Sequence, residues 1–91
     1  MQAPIQINLT KINKFLDFFY WAPIHYAAFL NDIPFVRLLI NKGGNINCPG
    51  GMGETALHIA VTNNYTEMVR ILIELGADVN AQNHVKNVLF F

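Results

Sequence analysis

Apolar residues recur in this chain with helical spacing in two separate stretches. In "FVRLLINKGG" (Phe35 to Gly44) and "EMVRILIELGA" (Glu67 to Ala77) they fall three and four positions apart. That spacing lines them along one face of an α-helix. Gly43 and Gly76 stand where each of these helices should stop, because the C′ position calls for a positive φ. A shorter run precedes each helix: "PIHYAAFLN" (Pro23 to Asn31) and "ALHIAVTNN" (Ala56 to Asn64) mix apolar and helix-favouring residues. Both runs end on Asn, which tolerates the left-handed conformation that halts a helix. After each glycine comes a stretch rich in Asn and Gly, "NINCPGGMGE" or "DVNAQNHVKN", which reads as an extended, hairpin-like loop. The predicted unit is helix, turn, helix, loop.

The unit is written twice at a fixed offset. His25 aligns with His58, and the same step pairs Ala27 with Ala60, Asn31 with Asn64, Val36 with Val69, Arg37 with Arg70, Leu39 with Leu72, Gly43 with Gly76 and Asn47 with Asn80. Ile24/Leu57, Leu38/Ile71 and Ile46/Val79 keep the side-chain class, and no gap is needed from Ala22 to Ala81. A constant period of this size predicts stacked supersecondary units rather than one closed globule. The apolar pairs Leu38/Leu39 and Ile71/Leu72 are expected in the core.

The helix starts read "APIHYA" (Ala22 to Ala27) and "TALHIA" (Thr55 to Ala60), and the loop starts read "GGNIN" and "GADVN". On these motifs the chain resembles an ankyrin-repeat protein over residues 21 to 83. The resemblance implies an all-α solenoid of helix-turn-helix units joined by hairpin-like loops. One repeat spans 21–53 and a second 54–86. A divergent segment, 1–20, precedes them, and 87–91 begins a third repeat that stops at once. Two departures from the family pattern stand out. Repeat one keeps Pro23 but has Ala22 at the N-cap; repeat two keeps Thr55 as cap but has Ala56 in place of proline. Loss of a threonine cap costs about 1 kcal/mol, so repeat one is expected to be the weaker. Pro34, near the start of the next helix, removes an N–H that has no helical partner there.

Paired histidines suggest a metal site or a general base, but neither has a carboxylate or second histidine one helical turn away. The resemblance implies a structural role instead: each imidazole bonds backbone near the loop and locks neighbouring units together. Pro23, His25, Gly43, Thr55, His58 and Gly76 are the structural motif residues on this reading. Gly50 to Gly53 lacks the Lys-Ser/Thr ending of a phosphate loop. The acceptor pattern at Asn8 to Thr10 needs a secretory route that the N-terminus does not show.

Composition narrows the partner class. Six basic and six acidic side chains cancel, so no basic field is available for a phosphate backbone. Nucleic acid is therefore not the expected partner. The most apolar window is broken by Asp17, Pro23 and His25 and falls short of the roughly 20 apolar residues of a membrane span. A lone cysteine, Cys48, cannot staple a small fold, which points to a reducing compartment, cytoplasmic or nuclear. No nucleophile–base pair or metal-ligand spacing indicates an enzyme, and no cofactor is expected.

The resemblance implies a protein-interaction module that holds a protein partner on a concave surface of first helices and loop tips. Carried onto this chain, the contact positions are Trp21, Phe29, Leu30 and Pro49 from repeat one, and Met52, Glu54, Thr62, Asn63 and Gln82 around repeat two. Aromatic side chains such as Trp21 and Phe29 are frequent binding anchors. The opposing reading packs them against residues 1–20. Within that segment "KIN" (Lys11 to Asn13) echoes the loop motif one position out of register, and "FLDFFYW" is either a cap on repeat one or a patch awaiting a partner. At the other end "NVLFF" supplies no polar cap, and a stack of two units normally needs one. A truncated array with no activity of its own, or self-association through open repeat faces, is the alternative expectation.

Overall fold

The computed structural model describes residues 20–83. Segment 1–19, with its "KIN" echo and most of its aromatic cluster, lies outside the described residues. So do residues 84–91, with His84 and the expected start of a third repeat. Four helices follow in order: α1 (Pro23–Phe29), α2 (Ile33–Asn41), α3 (Ala56–Thr62) and α4 (Thr66–Glu74). Helices α1 and α2 form the first unit and α3 and α4 the second, and α1 packs directly on α3. Among the described residues no helix is long and apolar enough to cross a membrane.

The turns reproduce one another because the same local chemistry recurs. Asn31 and Asn64 end the first helices at φ of 56° and 58°. One residue later, the Asp32 N–H donates to Ala27 O at 2.9 Å and the Tyr65 N–H donates to Ala60 O at 3.0 Å. Gly43 and Gly76 close the second helices at φ of 90° and 100°, a region open to glycine without a Cβ penalty. The next amides, of Gly44 and Ala77, both reach back at 2.9 Å, to Leu39 O and Leu72 O.

Starts differ where the side chains differ. Asp32 caps α2 by accepting from the Phe35 N–H at 3.1 Å, and Pro34 sits in its first turn. Thr55 caps α3 through a long bond, with the His58 N–H donating to Oγ1 at 3.4 Å. Ala22 has no side-chain acceptor, yet the corresponding amide is not orphaned: the His25 N–H donates to Ala22 O at 3.0 Å. The alanine cap thus replaces one acceptor with another.

Small residues set the closeness of the stack. Ala27, Ala28, Ala56 and Ala60 are fully buried, so the first helices approach with little between them. Leu57, Val36, Met68 and Leu72 fill the layer beneath. One expected core residue is not in the core. Leu38 is 49% exposed, whereas its counterpart Ile71 is 3% exposed. Leu38 instead lines an outer groove between the two units, beside Pro34, Arg37, Ile40, Asn41 and Leu75.

Candidate functional site

His25 is the joint between the units. It is fully buried, and its Nδ1 accepts the Ala22 N–H at 3.0 Å. A backbone amide can only donate, so the ring proton sits on Nε2. From there it is donated across the interface to Glu54 O at 3.1 Å. The imidazole therefore satisfies the start of its own helix and bonds a carbonyl of the next unit that also accepts the Gly50 N–H at 2.7 Å. His58 repeats the first half of this geometry: its Nδ1 accepts the Thr55 N–H at 3.0 Å, with Thr55 Oγ1 at 2.9 Å. Among the described residues no group of three His, Cys, Asp or Glu side chains is placed to hold a metal ion.

A second joint was not singled out from the sequence. Asn47 donates through Nδ2 to Gly76 O at 3.3 Å and accepts the Asp78 N–H on Oδ1 at 2.7 Å. Its own amide donates to Asn45 Oδ1 at 2.9 Å, and Asn80 makes the same local bond to Asp78 Oδ1 at 2.9 Å. The recurrence of Asn47 and Asn80 at the repeat offset was the available signal.

Around the first joint lies an aromatic cluster. The Trp21 ring stacks on His25 with centroids 6.0 Å apart and an interplanar angle of 17°. Tyr26 meets it edge-on at 5.3 Å, and Phe29 leans against it at 5.5 Å. Tyr26 was absent from the predicted contact set; Ile59, its counterpart, carries no polar handle that would have drawn notice. The indole Nε1–H donates to Glu54 Oε2 at 3.3 Å, and the other carboxylate oxygen accepts the Met52 N–H at 3.0 Å. The Glu54 carboxylate is thereby engaged within the protein, while the Met52 side chain remains 46% exposed.

The remaining predicted contact positions stand at the surface. Phe29 is 47% and Leu30 67% exposed. Thr62 and Asn63, their counterparts, are exposed on the neighbouring α3, with the Asn63 amide donating to Ile59 O at 2.8 Å. Pro49 and Gln82, another equivalent pair, are exposed in successive loops. The Tyr65 hydroxyl donates to Phe29 O at 3.1 Å and so ties the end of α1 to the second unit. Of the predicted residues, Trp21, Phe29 and Leu30 lie on or beside α1, Thr62 and Asn63 at the end of α3, and Pro49, Met52 and Glu54 in the loop before α3, with Trp21 half-buried; Gln82 lies apart, in the loop after α4.

On the opposite side α4 carries an ion-paired triad, Glu67, Arg70 and Glu74. The hydrogen bond from Arg70 holds the Glu67 carboxyl below its ordinary range. The same bond to Glu67 raises Arg70, with Glu74 adding to the effect.

Comparison with known proteins agrees with this architecture. A family model described as "Ankyrin repeats (3 copies)" matches residues 4–83, and so reaches into the N-terminal segment that the motif pairs leave out. Human "Ankyrin repeat and SOCS box protein 3" is 39% identical over 64 residues, covering 67% of this chain and 12% of that protein. Human "Protein phosphatase 1 regulatory subunit 27" is 39% identical over 62 residues, covering 68% of this chain and 40% of that protein. "Ankyrin repeat protein OPG189" of vaccinia virus (strain Copenhagen) is 27% identical over 78 residues, covering 84% of this chain and 14% of that protein. The chain spans less than half the length of each of these relatives. The matched model, the repeated helix pairs and the shared turn geometry establish that the chain belongs to the ankyrin-repeat family.

Proposed function

We propose that this chain is a non-catalytic module that holds a protein partner on the face formed by α1, α3 and the loop before α3. Ankyrin repeats are in general protein-interaction modules, and one relative is by its name a regulatory subunit of a phosphatase. The observation that carries the reading is the exposure of Phe29 and Leu30 beside a Trp21 ring already fixed by its neighbours. Large apolar side chains left at the surface next to a rigid aromatic are the usual make-up of a binding hot spot. No catalytic step, cofactor or metal enters this reading. A cytoplasmic or nuclear setting goes with it, resting on the single thiol of Cys48.

Site-specific photo-crosslinking in cells tests it. A photoreactive residue at Leu30 or Asn63 should give a discrete adduct with another protein, and one at Asn41 on the outer groove should not. Phe29→Ala should remove the adduct at unchanged melting temperature. Adducts only from Asn41, or none that respond to Phe29→Ala, would show that this face binds no protein.

A further inference from the structure

Among the described residues, the two helices of the face that carries the proposed contacts supply no charge. Neither α1 (Pro23–Phe29) nor α3 (Ala56–Thr62) contains a charged residue. Among the described residues, Asp32, Arg37 and Lys42 sit on α2 or at its ends. Glu67, Arg70 and Glu74 sit on α4, and Asp78 follows it. Among the described residues the charged side chains adjoining the face in sequence are Glu54, both of whose oxygens are engaged, by the Trp21 indole and the Met52 amide, and Asp32, which accepts the Phe35 N–H as the cap of α2. The Asn63 amide is likewise turned onto its own helix. What the surface offers is therefore mostly carbon: Phe29, which leans on the fixed Trp21 ring, with Leu30 and Met52, all at roughly half exposure or more.

We infer that the partner is an uncharged protein segment that binds through apolar side chains, and that charged segments are rejected. The inference rests on the protein-binding reading above and adds the chemistry of the partner. A carboxylate or ammonium group laid on this face would lose its water and find no counter-charge, a cost that an apolar side chain does not meet. Exclusion of charge thus acts as the selective element, with apolar burial supplying the attraction. Trp21 contributes without loss of rotamer freedom, because its ring is held before the partner arrives.

The experiment is a selection of random short peptides from a displayed library, followed by binding of the winners to the full chain. Winners are expected to be rich in aliphatic and aromatic residues and poor in Asp, Glu, Lys and Arg. Their affinity should change by less than about twofold between about 0.05 and 0.5 M salt, since no ion pair is made. Leu30→Lys places a charge on a residue that contributes nothing to the core, and it should weaken binding by about tenfold or more without shifting the melt. Arg37→Ser, on the outer surface, should leave binding unchanged. Charged winners whose affinity falls with salt and responds to Leu30→Lys would overturn the inference while leaving the protein-binding reading intact. Winners that ignore both Leu30→Lys and Phe29→Ser would sink that reading itself. Two parallel controls complete the test: sedimentation of the chain alone, and flotation with neutral phosphatidylcholine vesicles. Self-association or vesicle binding that is lost in Leu30→Lys would assign the face to a second copy or to lipid, and would likewise overturn the inference.

Discussion

Trp21 and Glu54 occupy the same position in successive repeats, 33 residues apart, and the indole of one donates to the carboxylate of the other at 3.3 Å. The position that varies between the units is thus used to join them. Glu54 also supplies, through its backbone carbonyl, the acceptor for His25. One residue of the second unit therefore receives two side chains of the first.

Removing the Glu54 side chain should loosen the indole. Glu54→Ala leaves the Trp21 Nε1–H and the Met52 N–H without their charged acceptor, at a cost of about 1–3 kcal/mol. Tryptophan emission should shift to the red in the folded state as the ring gains water. Gly50→Ala gives an independent check. A Cβ there would fall on the Glu54 carboxylate and 3.1 Å from Trp21 Cδ1, so the same spectral shift is expected with a smaller loss of stability. Unchanged emission in both variants would mean that this bond does not hold the ring.

His25 should be the least replaceable polar residue of the described core. His25→Ala opens a cavity at a fully buried site, strands the Ala22 N–H and leaves Glu54 O with only the Gly50 N–H, for about 3 kcal/mol or more. Chemical denaturation should show a large drop in midpoint, or a failure to fold. Asn63→Ala, which removes one exposed side-chain bond, should move the midpoint only slightly. Equal losses in the two variants would contradict the role of the imidazole as an inter-repeat joint.

Asn47→Ala should separate the loops. It deletes the bonds to Gly76 O and from the Asp78 N–H, and about 1–2 kcal/mol of stability should go with them. Amide exchange should quicken at Asp78 in particular, since that N–H loses its acceptor. Protection retained at Asp78 would mean that the loops stay together without Asn47.

Tyr20 is the position to improve. Its φ of 51° lies in the left-handed region, where the equivalent Gly53 takes 77°. The side chain is 74% exposed, so it contributes little packing. Tyr20→Gly should relieve the strain and raise stability by about 1 kcal/mol, read as a higher denaturation midpoint. A lower midpoint would show that the exposed ring makes up for its backbone.

The Glu67–Arg70 pair predicts an acid limb. The folded carboxyl is held below its ordinary value, chiefly by the Arg70 hydrogen bond, so its contribution is complete above the ordinary glutamate range. It fades as the pH falls through the lowered folded value. Carbon-detected titration of Glu67 should report a low midpoint that returns to the ordinary range in Arg70→Ala. The triad is exposed on both sides, so the effect on overall stability is small.

The sequence by itself determined the repeat and its backbone turns. Asn31, Asn64, Gly43 and Gly76 each sit at a left-handed φ that their own side chains favour, or that the lack of one permits, and such preferences need no distant partner. The family resemblance made both histidines expected joints, and His25 makes such a bond, to Glu54 O of the next unit. What only the tertiary structure decided involves residues about one repeat apart. Glu54 reads as a surface contact until the stack brings Trp21 over it. Leu38 reads as core by helical spacing, yet that helix edge turns toward the groove beside Leu75 and stays half exposed. Periodicity specifies which face of a helix is apolar. Which part of that face meets a neighbour, and which polar group finds a partner, depends on how one unit settles on the next, and no local spacing encodes that.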